Sequence, residues 1–276
     1  MPHTTSPELI FWLALAAKMA VTALFVTAAT IIAERLGAVV GALVATLPVS
    51  AGPVYVFLAL DHDAAFIAAS AVTSLALNAA TAIFVTVYVL AAQRRSLWVS
   101  AALAFAAWLA AALALGAVAW TAFAAFVCNA VVFSLCFFVV RPFCLVPMPT
   151  TTIPWYDLVL RATMVTLLVG AVVALSFRIG PTGSGVLAVF PIIYASIMLI
   201  LHRRVGGPAT AAVLANAIPG LAGFGAALLT LRLAAVPLGS ALALVLALGV
   251  SVACNAMVYA VRLRQGVAKR HWQLNR

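Results

Sequence analysis

The chain has 276 residues, of which 67% are hydrophobic and only 7% charged, with a mean hydropathy of +1.25. A soluble domain carries roughly 25% charged residues to face water, so this composition excludes a soluble globule and leaves a chain dissolved in lipid. The formal charge of +10 falls mostly in short links between apolar runs and in the last residues, which assigns it to membrane sidedness and not to nucleic acid.

A backbone in lipid has to satisfy its own hydrogen bonds, which leaves helices or a closed barrel. Barrel strands alternate apolar and polar residues; this chain instead has unbroken apolar runs of about twenty residues, the helical pattern. In chain order the spans read 9–33, 38–60, 64–92, 97–115, 117–140, 156–177, 182–201, 208–231 and 233–261. The stretch 97–140 has to be two helices, since one would extend roughly 66 Å, about twice the hydrocarbon thickness. The last run, about 43 Å long, reads as one tilted helix starting near Pro237. The sequence thus predicts an all-α integral membrane protein with about nine transmembrane helices.

Sidedness follows from the basic residues. With nine spans, Arg35, Arg94, Arg95, Arg141, Arg203, Arg204, Arg262, Arg264, Lys269, Arg270 and Arg276 share the side of the C-terminus, and only Arg178 and Arg232 share the other. Cytoplasmic loops collect Lys and Arg, so the N-terminus is expected outside and the C-terminus in the cytoplasm. Trp12, Trp98, Trp155 and Trp272 fall near span ends, where interfacial aromatics belong. The opening MPHTTSPELI lacks a basic region and leads into a run long enough to span, so no cleaved leader is expected. Cys128, Cys136 and Cys254 lie inside apolar runs and Cys144 just beyond one, without a CxxC pair or metal-ligand spacing. They read as small buried hydrophobes, and neither metal nor cofactor is expected.

A self-similarity runs at an offset of 143 residues. Lys18 meets Arg161, Arg35 meets Arg178, Gly37 meets Gly180, Ala45 meets Ala188 and Pro48 meets Pro191. The signal is the shared spacing of rare residues: an intramembrane cation, Arg-x-Gly at a turn, then a proline inside the next span. The same offset carries the third and fourth spans onto the eighth and ninth, and the fifth has no counterpart. The expected organisation is therefore repeat one over 1–116, a linking helix and cytoplasmic loop over 117–150, and repeat two with a basic tail over 151–276. One helix between two sets of four inverts the second set. The links agree, because Asp61-His62-Asp63 is expected outside and its counterpart around His202-Arg203-Arg204 inside. Inverted repeats about a central site recur in secondary transporters.

The residues Lys18, Glu34-Arg35-Leu36-Gly37, Gly41-Ala42-Leu43 and Leu47-Pro48-Val49-Ser50 resemble the GlpM-like family of short, four-helix bacterial inner-membrane proteins. The resemblance covers about a third of the chain well, from Lys18 to Leu115. In the second half Phe177 stands for Glu34 and Ile192-Ile193 for Val49-Ser50. It implies a four-helix unit and a bacterial inner membrane, here duplicated in inverted orientation, and no substrate.

A charge at the bilayer centre costs about 2.5–3.5 kcal/mol on insertion scales and is a functional candidate by default. Lys18 is counted roughly 14 Å into the first span, with Arg161 shallower in the sixth. Their alternatives are snorkelling for Lys18 and a local pair with Asp157, one turn earlier, for Arg161. Pro48 and Pro53 interrupt the second span around Ser50, Ala51 and Gly52, and Pro191 interrupts the seventh ahead of Tyr194 and Ser196. Interrupted helices at matching places mark a transporter site, with a plain kink as the alternative. Lys18, Arg161, Thr46, Pro48, Ser50, Gly52, Pro53, Tyr55, Pro191, Tyr194 and Ser196 are the candidate substrate-binding residues. Asn78, Asn129, Asn216 and Asn255 read as interhelical hydrogen-bonders, and Gly183-Ser184-Gly185 as a close helix contact. The absence of a P-loop, HExxH or GxSxG and of paired intramembrane carboxylates argues against an enzyme. The expected function is a secondary transporter or flippase-like protein for a small anionic or lipid-linked solute, with the bilayer as partner and a homo-oligomer left open. The alternatives are a non-transporting accessory subunit of an envelope-assembly complex, or a transferase using Asp61, His62 and Asp63.

Overall fold

The structure, a computed structural model, describes residues 7–35, 48–144 and 155–274. Every described element is helical: α1 (Pro7–Arg35), α2 (Ala51–Asp61), α3 (Ala64–Ala91), α4 (Leu97–Gly116), α5 (Ala122–Val140), α6 (Trp155–Ala188), α7 (Ile192–Val205), α8 (Gly207–Ala215), α9 (Ile218–Leu238) and α10 (Ser240–Leu274). Among the described residues, seven stretches are long and apolar enough to cross a membrane, and α2 is a shorter apolar helix. The difference from nine lies in two spans. Helix α6 runs through the Gly180 turn, and of the span expected at 38–60 only the α2 part is described. Thr46 and the rest of 36–47, which carries much of the GlpM-like motif, lie outside the described residues.

The helix boundaries follow local chemistry. The Asp63 carboxylate accepts from the Phe66 amide at 2.8 Å and caps α3, and the Thr121 hydroxyl accepts from the Ala124 amide at 3.1 Å and caps α5. Each satisfies one of the amides left without a partner at a helix start. Gly180 turns α6 with φ 67° and ψ −171°, a left-handed conformation that favours glycine. Pro181 then starts the second piece, where a missing amide costs nothing. That piece stops at Ala188, and Pro191 is the residue ahead of α7.

Helix α3 is the axis of the molecule. It packs against α4, α5, α6, α8 and α9 and is 78% buried, whereas α1 and the described span of α10 are 17% buried. The outer helices turn large apolar side chains outward, among them Leu24, Leu60, Phe123 and Leu113. Such a surface is a lipid-facing one, since a soluble protein rarely exposes so large an apolar area. The chain is an all-α, multi-pass membrane protein.

Candidate functional site: a hydroxyl stripe between two charged ends

In the apolar sequence of α3, Ser70, Ser74, Asn78, Thr81 and Tyr88 recur at spacings that place them on one face of a helix. The face is turned to the broken helices. The Ser74 hydroxyl donates to the Gly185 carbonyl at 2.7 Å, and the Thr81 hydroxyl donates to the Val189 carbonyl at 3.1 Å. The Val189 carbonyl lies in the link between Ala188 and Pro191, past the end of the helix, where backbone oxygens lack helical partners, and the Gly185 carbonyl belongs to the last turn of α6. The Leu187 carbonyl is taken up locally by the Phe190 amide at 3.1 Å. Between the two hydroxyls, Asn78 Nδ2 donates to the Leu221 carbonyl of α9 at 3.0 Å. The stripe therefore holds α6, α7 and α9 to the axis through hydrogen bonds worth about 0.6–2 kcal/mol each.

The second span enters the same network. Tyr55 of α2, 3% exposed, donates to Ser74 Oγ at 2.7 Å, so that a chain runs Tyr55–Ser74–Gly185 across three helices. Gly185 makes this approach possible. A Cβ there would stand 2.5 Å from the Ser70 carbonyl oxygen and 2.8 Å from Thr73 Cβ. The close contact read into Gly183-Ser184-Gly185 is thus made against α3. The Ser70 and Ser184 hydroxyls, both buried, have no hydrogen-bond partner. Beside them, Asn129 of α5 donates to the Leu75 and Ala125 carbonyls and leaves its buried Oδ1 without a partner, close to Gly225.

Each end of α3 carries a charged cluster. At its N-terminal end the Lys18 ammonium meets both oxygens of Asp61 at 2.5 and 2.6 Å, and the pair is about one-fifth exposed. His62 stacks on Phe66 with ring centroids 3.8 Å apart, and its Nε2 lies 2.8 Å from Ser176 Oγ. The Ser176 hydroxyl donates to the Val173 carbonyl at 2.9 Å, so Nε2 carries the hydrogen and donates. Burial lowers the His62 pKa from its ordinary value and Lys18 lowers it further, against the opposing pull of Asp61 and Asp63. At the C-terminal end Arg204 meets Asp157 at 2.5 Å, the Tyr88 hydroxyl lies 2.7 Å from His202 Nδ1, and Arg203 stands 5.3 Å over Trp98. The 28 residues of α3 set the clusters about 42 Å apart, close to the full thickness of a bilayer with its headgroups.

Several expectations change on this geometry. Lys18 lies level with the α2–α3 link through its pair with Asp61, the last residue of α2, a neighbour that depth counted along α1 alone does not reveal. Asp157 pairs with Arg204 on another helix, because α7 ends beside the start of α6. Asp61 is engaged by Lys18 and Asp63 caps α3. Pro53 sits in the first turn of α2, where proline is tolerated, and ahead of it the Pro48 carbonyl accepts from the Gly52 amide at 2.6 Å. Ser50 precedes α2 and makes no side-chain cap. Ser196 is buried and bonded to its own helix at the Ile193 carbonyl, Tyr194 and Arg161 are half-buried, and Tyr55 joins the stripe. The 670 Å³ groove lies elsewhere, along α3, the α4–α5 link, Thr182 and α9. No family model, curated sequence or solved structure matches the chain.

Ser74 and Thr81 are not among the residues that the sequence singles out. Their signal is nonetheless present in it, as hydroxyls seven residues apart with Asn78 between, a stripe on one face of an otherwise apolar helix.

Proposed function

We propose that the chain is a secondary transporter or flippase-like carrier for a small anionic or lipid-linked solute, working between two inverted four-helix halves in a bacterial inner membrane, with its N-terminus outside. The carrying observation is a pair of helix starts. Helix α2 begins after Pro48 and α7 after Pro191, positions 143 apart, and α2 and the link ahead of α7 both reach the stripe on α3. Discontinuous helices at corresponding places in two halves are the best pointer to a transport site.

Further support comes from element starts. Helices α3 and α8 begin at Ala64 and Gly207, and α4 and α10 at Leu97 and Ser240, each pair again 143 apart. Asn78 bonds its own counterpart Leu221, as expected of residues at a pseudo-twofold axis. The same offset carries Asp61 onto Arg204, so each half closes one end of the molecule with an ion pair of reversed polarity. Two latches at opposite ends of one axis suit a carrier that opens to either side in turn. The GlpM-like resemblance of the first half belongs to this reading.

One observation favours the accessory-subunit alternative: the hydroxyls of Tyr55, Ser74 and Thr81 are all satisfied internally, as in a packed scaffold. Dithionite quenching of NBD-labelled phosphatidylglycerol in proteoliposomes separates the two. The carrier reading expects quenching of the inner leaflet well above protein-free vesicles and at least fivefold slower in Pro191→Ala. Rates equal to protein-free vesicles, for this lipid and for a panel of small organic anions trapped inside, would leave the scaffold reading.

A further inference from the structure

We infer that the groove beside Arg232 is a binding site for one anionic phospholipid, its acyl chain along α3 and its phosphate on the guanidinium. Such a site requires only that the chain sits in a membrane, and holds whether or not it transports.

The groove, about 670 Å³, is of the size that takes a lipid chain or drug-sized ligand. Its floor is mostly apolar: Ala65, Ala69, Val72 and Leu77 from α3, with Val236 from α9, and Thr73 turns its hydroxyl back onto the Ala69 carbonyl. From Ala65 to Leu77 it follows α3 for about 18 Å, slightly more than one leaflet of a hydrocarbon core about 30 Å thick. The elements agree on where it opens. The N-terminal end of α3, the link between α4 and α5, the Gly180 turn and the C-terminal end of α9 all gather at one end of the bundle. Trp120 lines that mouth and holds its indole N–H on the Leu115 carbonyl at 2.7 Å, the placement of an aromatic at a membrane interface.

Arg232 supplies the charge. The contacts of Asn78 with Leu221 and of Leu75 with Gly225 set an antiparallel register that brings Arg232 level with the first turn of α3, near the mouth. Arg232 is half-buried and lines the groove. The two ion pairs among the described residues are Lys18–Asp61 and Arg204–Asp157, so neither uses Arg232. The nearest acid in sequence to the groove lining, Asp63, is turned onto the α3 amide at Phe66. A guanidinium has five donors and no acceptor, and leaving it half-dehydrated without an anion is costly. A lipid phosphate meets that need in the geometry arginine favours, while the apolar floor takes the chain. A soluble anion leaves the floor uncovered, and a zwitterionic lipid brings a second cation to Arg232.

Native mass spectrometry of the detergent-purified protein, titrated with equal amounts of palmitoyl-oleoyl phosphatidylglycerol and phosphatidylcholine, tests this. The expected result is one phosphatidylglycerol retained in preference to phosphatidylcholine. That adduct falls at least fivefold in Arg232→Gln and in the groove-filling Ala69→Leu, and is kept in Arg178→Gln and Arg232→Lys. Equal retention of the two lipids by the unaltered protein overturns the inference, and so does phosphatidylglycerol retention unchanged in Arg232→Gln. If Ala69→Leu does not fold, Val236→Phe narrows the same groove from α9 and carries the same expectation.

Discussion

Gly185 and His62 show how single residues set the local balance. Helices α3 and the second piece of α6 approach so closely at Gly185 that a methyl group has no room against the Ser70 backbone. Gly185→Ala is therefore expected to destabilise by about 1–3 kcal/mol, the usual cost of overpacking. A methyl group at Gly249 on α10 would meet nothing within 4 Å, and Gly249→Ala is expected to be neutral or to stabilise by about 0.5–1 kcal/mol. Thermal unfolding of both in the same detergent checks the contrast, and equal losses would contradict the close approach. For His62, the folded pKa is lowered mainly by burial, whereas an unfolded histidine takes up a proton near pH 6.5. The unfolded state thus binds more protons below about pH 6.5, so the His62 contribution is present above that pH and is lost as pH falls below it. The unaltered protein should melt at lower temperature at pH 5.5 than at pH 7.5, and His62→Gln should flatten that slope. A slope unchanged in the variant would assign the effect to other groups.

At the scale of helices, the interrupted spans are held by their neighbour and not by themselves. The Val189 carbonyl, past the end of the helix, would be a buried unsatisfied acceptor costing about 1–3 kcal/mol if Thr81 did not donate to it, and Ser74 adds a second tie at Gly185. The double variant Ser74→Ala with Thr81→Val is expected to raise hydrogen exchange around 185–195 by at least tenfold while leaving α4 protected. Unchanged exchange there would mean that packing alone holds the break. The stripe was legible in principle as a pattern on α3, but its partners were not. A hydroxyl in a helix also bonds back to its own chain, as Thr86 does to the Ala82 carbonyl at 2.8 Å and Thr30 to the Val26 carbonyl at 2.8 Å. Spacing alone does not separate the two uses.

For the whole molecule, the decisive quantity is which ends face the same way. The bundle collects the α4–α5 link, the Gly180 turn and the Asp61–Asp63 link at one end of α3, and the α3–α4 link with the end of α7 at the other. In a background with Cys128, Cys136, Cys144 and Cys254 replaced, Ala119→Cys is expected to react with an impermeant maleimide added outside intact cells. Ser96→Cys is expected to react only after permeabilisation. Both positions are exposed, so access and not burial decides the result. Labelling of both from the same side would remove α4 as a spanning helix and, with it, the two-latch carrier.

The membrane class, the helical secondary structure and the turn at Arg178-Ile179-Gly180 were determined by sequence alone. Each depends on local facts: how many side chains tolerate lipid, how long a run is, and where a glycine must stand. Most of the interactions at the candidate site were decided only by tertiary structure. Lys18 found Asp61, Asp157 found Arg204, and Thr81 found the Val189 carbonyl, pairings separated by 43, 47 and 108 residues. A charge or hydroxyl in an apolar helix states a need for a partner. Which of several partners meets it depends on helix register and crossing, and those are set by packing around α3 that no local pattern encodes.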